Sequence, residues 1–281
     1  MTLVSTESSE LFTTHEGEVV GPAWSLFRFF GPEVGRWVAV GLLALAAAHI
    51  LPAVTGTLHY WVSASFAATA VPLDGGDHVG AALTLLLIPL SVLDIKAVRE
   101  RRDRVLLRLL RTVACSARVA ATIQVMIIYF HAAMSKLAVE EWADGTATYY
   151  WFNHPWIGAS DELLYLLGPV LQTPWVCLLT WGAVLLELCL SAAPLLSREL
   201  RRALFVSGVL FHWLIAILHG LSSFSLAMIG ALLLLTEALD EIPLRQLAVR
   251  SVRGTWETLS KRLGIDSEVG ALPSGSQPDP R

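Results

Sequence analysis

Cysteine is scarce in this chain, and its three copies, Cys115, Cys177 and Cys189, include no CxxC pair. Cys177 and Cys189 fall on one expected helix, where 12 residues correspond to about 18 Å, too far for a disulfide. This excludes a disulfide framework, and the three read as small apolar packing residues. Of the histidines, His49, His59, His78, His131, His154 and His219 map to one side of the expected bundle. They form no HExxH or dense metal-ligating spacing, so no metal site is expected. No protease constellation is present, because Ser135 and Lys136 are helix neighbours that point about 100° apart. Charge is also sparse, at 16% of residues, and nothing in its arrangement points to nucleic acid. Met1 to Gly21 is polar and acidic with no basic n-region before an apolar core, so no cleavable signal peptide is expected.

The longest absence is that of basic residues. No Lys or Arg occurs between Trp37 and Ile95, between Leu137 and Ser197, or between Ala203 and Leu244. These gaps alternate with basic clusters at Lys96–Arg111, Arg198–Arg202 and Arg245–Arg262. With 54% hydrophobic residues and a mean hydropathy of +0.59, the pattern is that of an all-α, polytopic helical membrane protein. The positive-inside rule puts the clusters and both termini in the cytoplasm.

About six transmembrane helices are expected, near Trp37–Val54, Ala81–Ile95, Thr112–Leu137, Trp175–Leu196, Ala203–His219 and Leu221–Leu239. Pro22–Arg36 mixes aromatics with arginine and reads as an interfacial anchor. Thr55–Gly80 reads as an aromatic, re-entrant or interfacial connection. The outer loop Ala138–Pro174 should contain a small helix at Asp161–Leu171. In domain terms, 1–21 is a disordered arm, 22–243 the transmembrane bundle, 244–263 a cytoplasmic amphipathic segment and 264–281 a disordered tail.

Lys136 is the exception to the charge pattern, with no basic residue within 17 positions. It lies at the outer end of a helix and shares a stripe with Arg118 and Tyr129. Two readings stand open. It can snorkel to the interface and pair with Glu140, or it can sit in a partly desolvated cavity where a neutral amine acts as a base. Gln124 and His131 define a neighbouring stripe. Glu187 and His212 flank the Ser197–Arg202 turn at equal distances, so they should meet at one depth, as a structural hydrogen bond or as part of a proton path or ligand pocket. His219 follows on the same face, nearer the outer surface.

The string IQVMIIYFHAAMSKLAVEEWADGTATYYWF resembles the SdpB (sporulation-delaying protein B) family of bacterial membrane proteins. So do LDGGDHVGAALTLLLIPLSVLD and LLELCLSAAPLL followed by FHWLIAILHGLSSFSLAMIGALLLL. These blocks cover roughly Thr57 to Leu235. The resemblance implies maturation of a secreted antimicrobial peptide toxin in the plasma membrane, with an SdpA-like partner protein and a peptide precursor. SdpB proteins are in turn similar to the transmembrane part of vitamin K-dependent gamma-glutamyl carboxylases, which share the HTTM domain. The lysine proposed there as the base matches Lys136, whereas the lysine before it matches Ser135. The carboxylases' large lumenal domain has no counterpart in the sequence, so gamma-carboxylation is not carried over.

Three functions follow as expectations. One is a maturation factor with an outward-facing intramembrane pocket. In it Lys136, His131, His212 and Glu187 would be catalytic, and Tyr129, Trp142, Asp144, Tyr149 and Asp77 would bind substrate. The second is a non-catalytic module that binds, presents or exports the peptide. The third is a quinone-dependent carboxylase-like or redox enzyme with a lipid-soluble quinone as cofactor. Membrane lipids are partners in all three.

Overall fold

The computed structural model describes residues 21–70, 75–93, 104–155 and 157–237. The expectations for 244–263 and 264–281, and for all but the last residue of the 1–21 arm, lie outside the described residues. Every regular element described is helical. In chain order they are α1 (Leu26–Phe30), α2 (Pro32–Ala47), α3 (Pro52–Thr69), α4 (Gly75–Leu93) and α5 (Arg104–Leu137). Then come α6 (Glu140–Ala143), α7 (Ala147–Phe152), α8 (Asp161–Leu171), α9 (Val176–Ala192), a 3-10 turn at Ala193–Leu195, α10 (Arg198–His219) and α11 (Ser222–Glu237).

Four of these, α4, α5, α9 and α10, are long and apolar enough to cross a membrane, and α11 is a shorter apolar helix. The chain is a multi-pass helical membrane protein. At 34 residues, α5 extends about 51 Å, well beyond about 30 Å of hydrocarbon, so the positions Arg104, Arg108 and Arg111 ride on the same helix as Lys136.

The N-terminal third differs from the expected layout. The first span does not run through to Val54, because α2 ends at Ala47 and both His49 and Leu51 take positive φ. Pro52 then starts α3, its ring preset for a first helical turn. The expected interfacial connection from Thr55 is therefore mostly this 18-residue helix. Its hydroxyls lower its hydropathy while remaining compatible with a helix, because they bond back to nearby carbonyls: Thr55 Oγ1 donates to Ile50 O at 3.0 Å and Thr57 Oγ1 to Ala53 O at 2.9 Å.

The segment read as an interfacial anchor is also tied into the protein. Leu26 and Phe27 are fully buried, and Ser65 Oγ accepts from the Leu26 N–H at 3.0 Å. Trp24, Phe29 and Phe30 are left on the outside.

The central core joins α4, α5, α9 and α11 through Val79, Leu83, Ala121, Val125, Leu190 and Leu232, all buried. Gly208 lets α10 approach this core closely, since a Cβ there would lie 2.9 Å from Leu232 Cδ1. Ser160 and Ser197 cap α8 and α10, each side chain accepting a backbone N–H of the first turn. The helix expected at Asp161–Leu171 has those same ends.

Candidate functional site

The helices α5, α9, α10 and α11 surround a cavity of about 820 Å³. Each contributes a stripe at helical spacing: Gln124, Ile128 and His131 from α5, Leu179, Gly182 and Leu186 from α9, Phe211, Ile215 and Leu218 from α10, and Phe224 with Met228 from α11. The lining is mostly apolar, and its charge is concentrated in one pair.

That pair is Lys136 and Glu187. Lys136 Nζ donates to both carboxylate oxygens of Glu187, each at 2.8 Å. It also lies 3.4 Å from Ala132 O and 5.4 Å from the centre of the Trp142 ring. The Lys136 side chain is 23% exposed and that of Glu187 8%. By helix counting, Lys136 sits one residue from the end of α5, whereas Glu187 is eleven residues into α9. They meet because helical side chains lean toward the N-terminus, so the lysine stem reaches back into the bundle by about a turn. Lys136 neither pairs with Glu140 nor stands alone.

Deeper along α5, Tyr129 Oη lies 2.9 Å from His212 Nε2 on α10, with Tyr129 1% and His212 2% exposed. This contact joins α5 to α10 at the cavity wall. The expected Glu187–His212 hydrogen bond is thus replaced by two separate pairs, Lys136–Glu187 and Tyr129–His212. Phe211 and Phe224 set their rings edge-on to His212. His212 Nδ1 is buried and has no hydrogen-bond partner among the described residues.

The end of the cavity nearest Lys136 is covered by the segment after α5. The α7 helix is held to α9 by Thr180 Oγ1, which donates to Thr148 Oγ1 at 2.8 Å and accepts the Thr148 N–H at 3.2 Å. Trp151 and Phe152 pack edge-on against His219, whose Nδ1 lies 2.9 Å from Ile157 O. Gly145, at φ +91°, turns the chain so closely over Cys177 that a Cβ would be 2.9 Å from its sulfur. Just before it, Asp144 Oδ1 accepts the Thr146 hydroxyl at 2.6 Å and the Thr146 N–H at 2.9 Å. These bonds, the hydroxyl first, hold the Asp144 carboxyl below its usual range. All three cysteines are free.

Six of the nine residues singled out in the sequence line this one cavity: Lys136, His131, Glu187, His212, Tyr129 and Trp142. Asp144, Tyr149 and Asp77 do not. Asp144 is exposed in its turn, Tyr149 stacks edge-on with Tyr150 on the outside, and Asp77 lies in the first turn of α4, where Gly75 lines the cavity instead. Sequence reasoning missed Phe211, Phe224, Met228, Trp151 and Phe152 as lining residues. Their only sequence signal is the i, i+3, i+7 spacing of Leu221, Phe224 and Met228, which any packed helix shows. No group of three or more metal-ligating side chains occurs among the described residues.

Residues 101–238, which include most of this lining, match the HTTM domain. A Bacillus subtilis (strain 168) protein, "Uncharacterized protein YitO", is 32% identical over 212 residues, covering 73% of this chain and 67% of that one. "Sporulation-delaying protein SdpB" of the same organism is 32% identical over 206 residues, covering 72% and 63%. The chain belongs to the SdpB family of HTTM-domain membrane proteins. It spans about two thirds of the length of these curated relatives. No solved structure matches it. The shared region takes in the lysine helix α5, the helix α9 that completes its ion pair and the helix α10 that carries His212, so the family match and the cavity fall on the same part of the chain.

Proposed function

We propose that this protein is an integral membrane factor for maturation of a secreted antimicrobial peptide toxin, acting through the intramembrane cavity centred on Lys136. The similarity to sporulation-delaying protein SdpB supports the toxin role, and the Lys136–Glu187 pair inside an apolar cavity carries the choice of site. The membrane is the bacterial plasma membrane, with both termini cytoplasmic and the α6–α7 cover facing outward. The peptide precursor and an SdpA-like protein are the partners.

The chemistry available to the chain follows from the pair. An ion pair kept out of water holds a proton between two groups whose charged forms depend on each other. Anything that draws Glu187 away, or brings a carbonyl to Nζ, changes which group keeps the proton. Lys136 serves as base or electrostatic anchor, with His131 and Trp142 beside it and Tyr129–His212 as a deeper proton-holding pair. The apolar lining, which includes Met228 and has Phe211 and Phe224 edge-on to a buried imidazole, fits a lipid-soluble quinone. Such a group, when bound, would supply oxidation and reduction chemistry that these side chains lack.

The second reading is a non-catalytic module in which the same cavity and its mouth hold or export the peptide. It is favoured by the self-satisfied ion pair, which needs no reaction to explain it. Lys136→Arg separates the two, because guanidinium keeps the charge but does not deprotonate usefully. With normal membrane levels, the expected result is loss of toxin production in both Lys136→Ala and Lys136→Arg. Activity retained by Lys136→Arg alone establishes the presenting module, and wild-type activity in both removes Lys136 from the function. Mass spectrometry of the genetically linked precursor, with and without the protein, identifies the bond changed.

A further inference from the structure

Beyond its first turn, helix α8 is apolar on every side. Its 11 residues carry charge only at Asp161 and Glu162, and no charged side chain follows until Glu187. Glu162 is drawn back to the start of the helix by its own N–H and the Ser160 hydroxyl. Leu164, Leu167 and Leu171 form one stripe, which packs with Phe152, Val176 and Leu218. The opposite stripe is bare: Tyr165 is 90% exposed, Leu166 70% and Val170 37%.

A helix that is apolar all round needs apolar surroundings on all sides. At about 16 Å, α8 is too short to cross about 30 Å of hydrocarbon, so it does not find them by spanning. The chain continues through Trp175, 65% exposed, into α9, which is long and apolar enough to span and bares Leu178 and Leu185 at helical spacing from that tryptophan. Bare apolar side chains on a spanning helix face lipid, and α8 leads into that face with no charge between. No Lys or Arg occurs between Leu137 and Ser197, so this surface has nothing with which to hold an anionic headgroup.

We propose that α8 is a membrane-surface helix, whose bare face of Tyr165, Leu166 and Val170 lies with Trp175 in the boundary between lipid headgroups and acyl chains, held there by apolar contact and not by anionic lipid. Tyrosine and tryptophan suit this boundary because each pairs an apolar ring with a polar tip. The docked helix also sets the depth of the bundle. With Trp175 at the boundary, Glu187, twelve residues further along, lies up to about 18 Å deeper, inside the hydrocarbon, where a carboxylate needs the partner that Lys136 provides. The inference depends neither on the toxin role nor on which side of the membrane this end of the bundle faces.

The test places one spin label at a time on the full chain, in a variant lacking the native cysteines, through Asp161→Cys, Tyr165→Cys, Leu166→Cys or Val170→Cys. The protein is held in nanodiscs of phosphatidylcholine alone or mixed with phosphatidylglycerol. Paramagnetic resonance then compares collisions with oxygen, which concentrates among acyl chains, and with a water-soluble nickel chelate. The oxygen-to-nickel ratio at positions 165, 166 and 170 should exceed that at 161 at least about threefold, equally in both lipid mixtures. These four side chains are exposed in the protein, so labelling them leaves its packing in place. Equal ratios at all four positions would put the face in water and overturn the proposal. Dipolar broadening between labels on neighbouring copies would overturn it in favour of a second copy as the cover, and submersion only with phosphatidylglycerol would overturn apolar contact as the cause. Because no readout involves toxin, loss of toxin production in a Lys136 variant bears only on the functional reading.

Discussion

At the scale of single residues, the Lys136–Glu187 pair makes the firmest commitments. Removing either partner leaves the other charged in a mostly apolar cavity, whereas removing both leaves no charge to compensate. Lys136→Met or Glu187→Gln alone should cost about 3 kcal/mol of unfolding free energy. The double variant should cost less than the sum of the two by at least about 1 kcal/mol. Denaturation in mixed micelles measures all four states of this cycle, and strict additivity would mean the two side chains do not interact. The pair also shows why sequence alone misassigned its members. Depth counted from helix ends locates a Cα, but a lysine Nζ reaches roughly a turn away from it, which brought Glu187 to Lys136 instead of His212.

Asp144 offers a pH-dependent case outside the spans. Its carboxyl is held below its ordinary value of 3.8, first by the Thr146 hydroxyl and then by the Thr146 N–H. A depressed folded-state value means that the turn's contribution to stability is present above 3.8 and is lost as pH falls through the lower folded value. Thr146→Val should therefore raise the Asp144 midpoint toward 3.8, read from its carboxyl resonance in an NMR titration. An unmoved midpoint would remove the hydroxyl as the cause.

At the scale of elements, glycine governs how α10 seats on the bundle. The Cβ of an alanine at 208 would lie 2.9 Å from Leu232 Cδ1 and 3.3 Å from Leu190 Cδ1, and both leucines are buried and hemmed in. Gly208→Ala should destabilise by about 1 kcal/mol and Gly208→Leu by about 3 kcal/mol, both measured as thermal unfolding in detergent. Leu232→Ala should recover part of the loss caused by Gly208→Ala, and failure to do so would place the strain elsewhere. Because α10 carries His212 and His219, a displaced helix should also loosen the α7 cover. The long apolar helices were readable from hydropathy, and α8 from its Ser160 cap and the acidic turn that follows. Helix α3 was not, because its threonines, serines and aromatics lower hydropathy while their hydroxyls are satisfied within the helix.

At the scale of the whole molecule, the proposed orientation rests on charge distribution. In the proposed orientation, with the basic clusters in the cytoplasm, α5 runs outward and ends beneath the α6–α7 cover. In a variant lacking the native cysteines, Tyr149→Cys should react with a membrane-impermeant maleimide in intact cells, and Arg111→Cys only after lysis. The reverse pattern would invert the topology and turn the cavity mouth to the cytoplasm.

The amino-acid sequence by itself determined that this is an all-helical, multi-pass membrane protein of the SdpB family, because hydropathy and motif strings are local properties that no packing can reverse. It also marked most of the polar residues that face the cavity, since ionisable groups within apolar helices are conspicuous one at a time. Only the tertiary structure decided who pairs with whom. Glu187 goes to Lys136 and Tyr129 to His212 because side-chain reach, helix offset and the close seat at Gly208 act together across segments 51 and 83 residues apart. The same packing set Phe211 and Phe224, which carry no signal of their own, edge-on to the His212 ring, whose Nδ1 has no hydrogen-bond partner among the described residues.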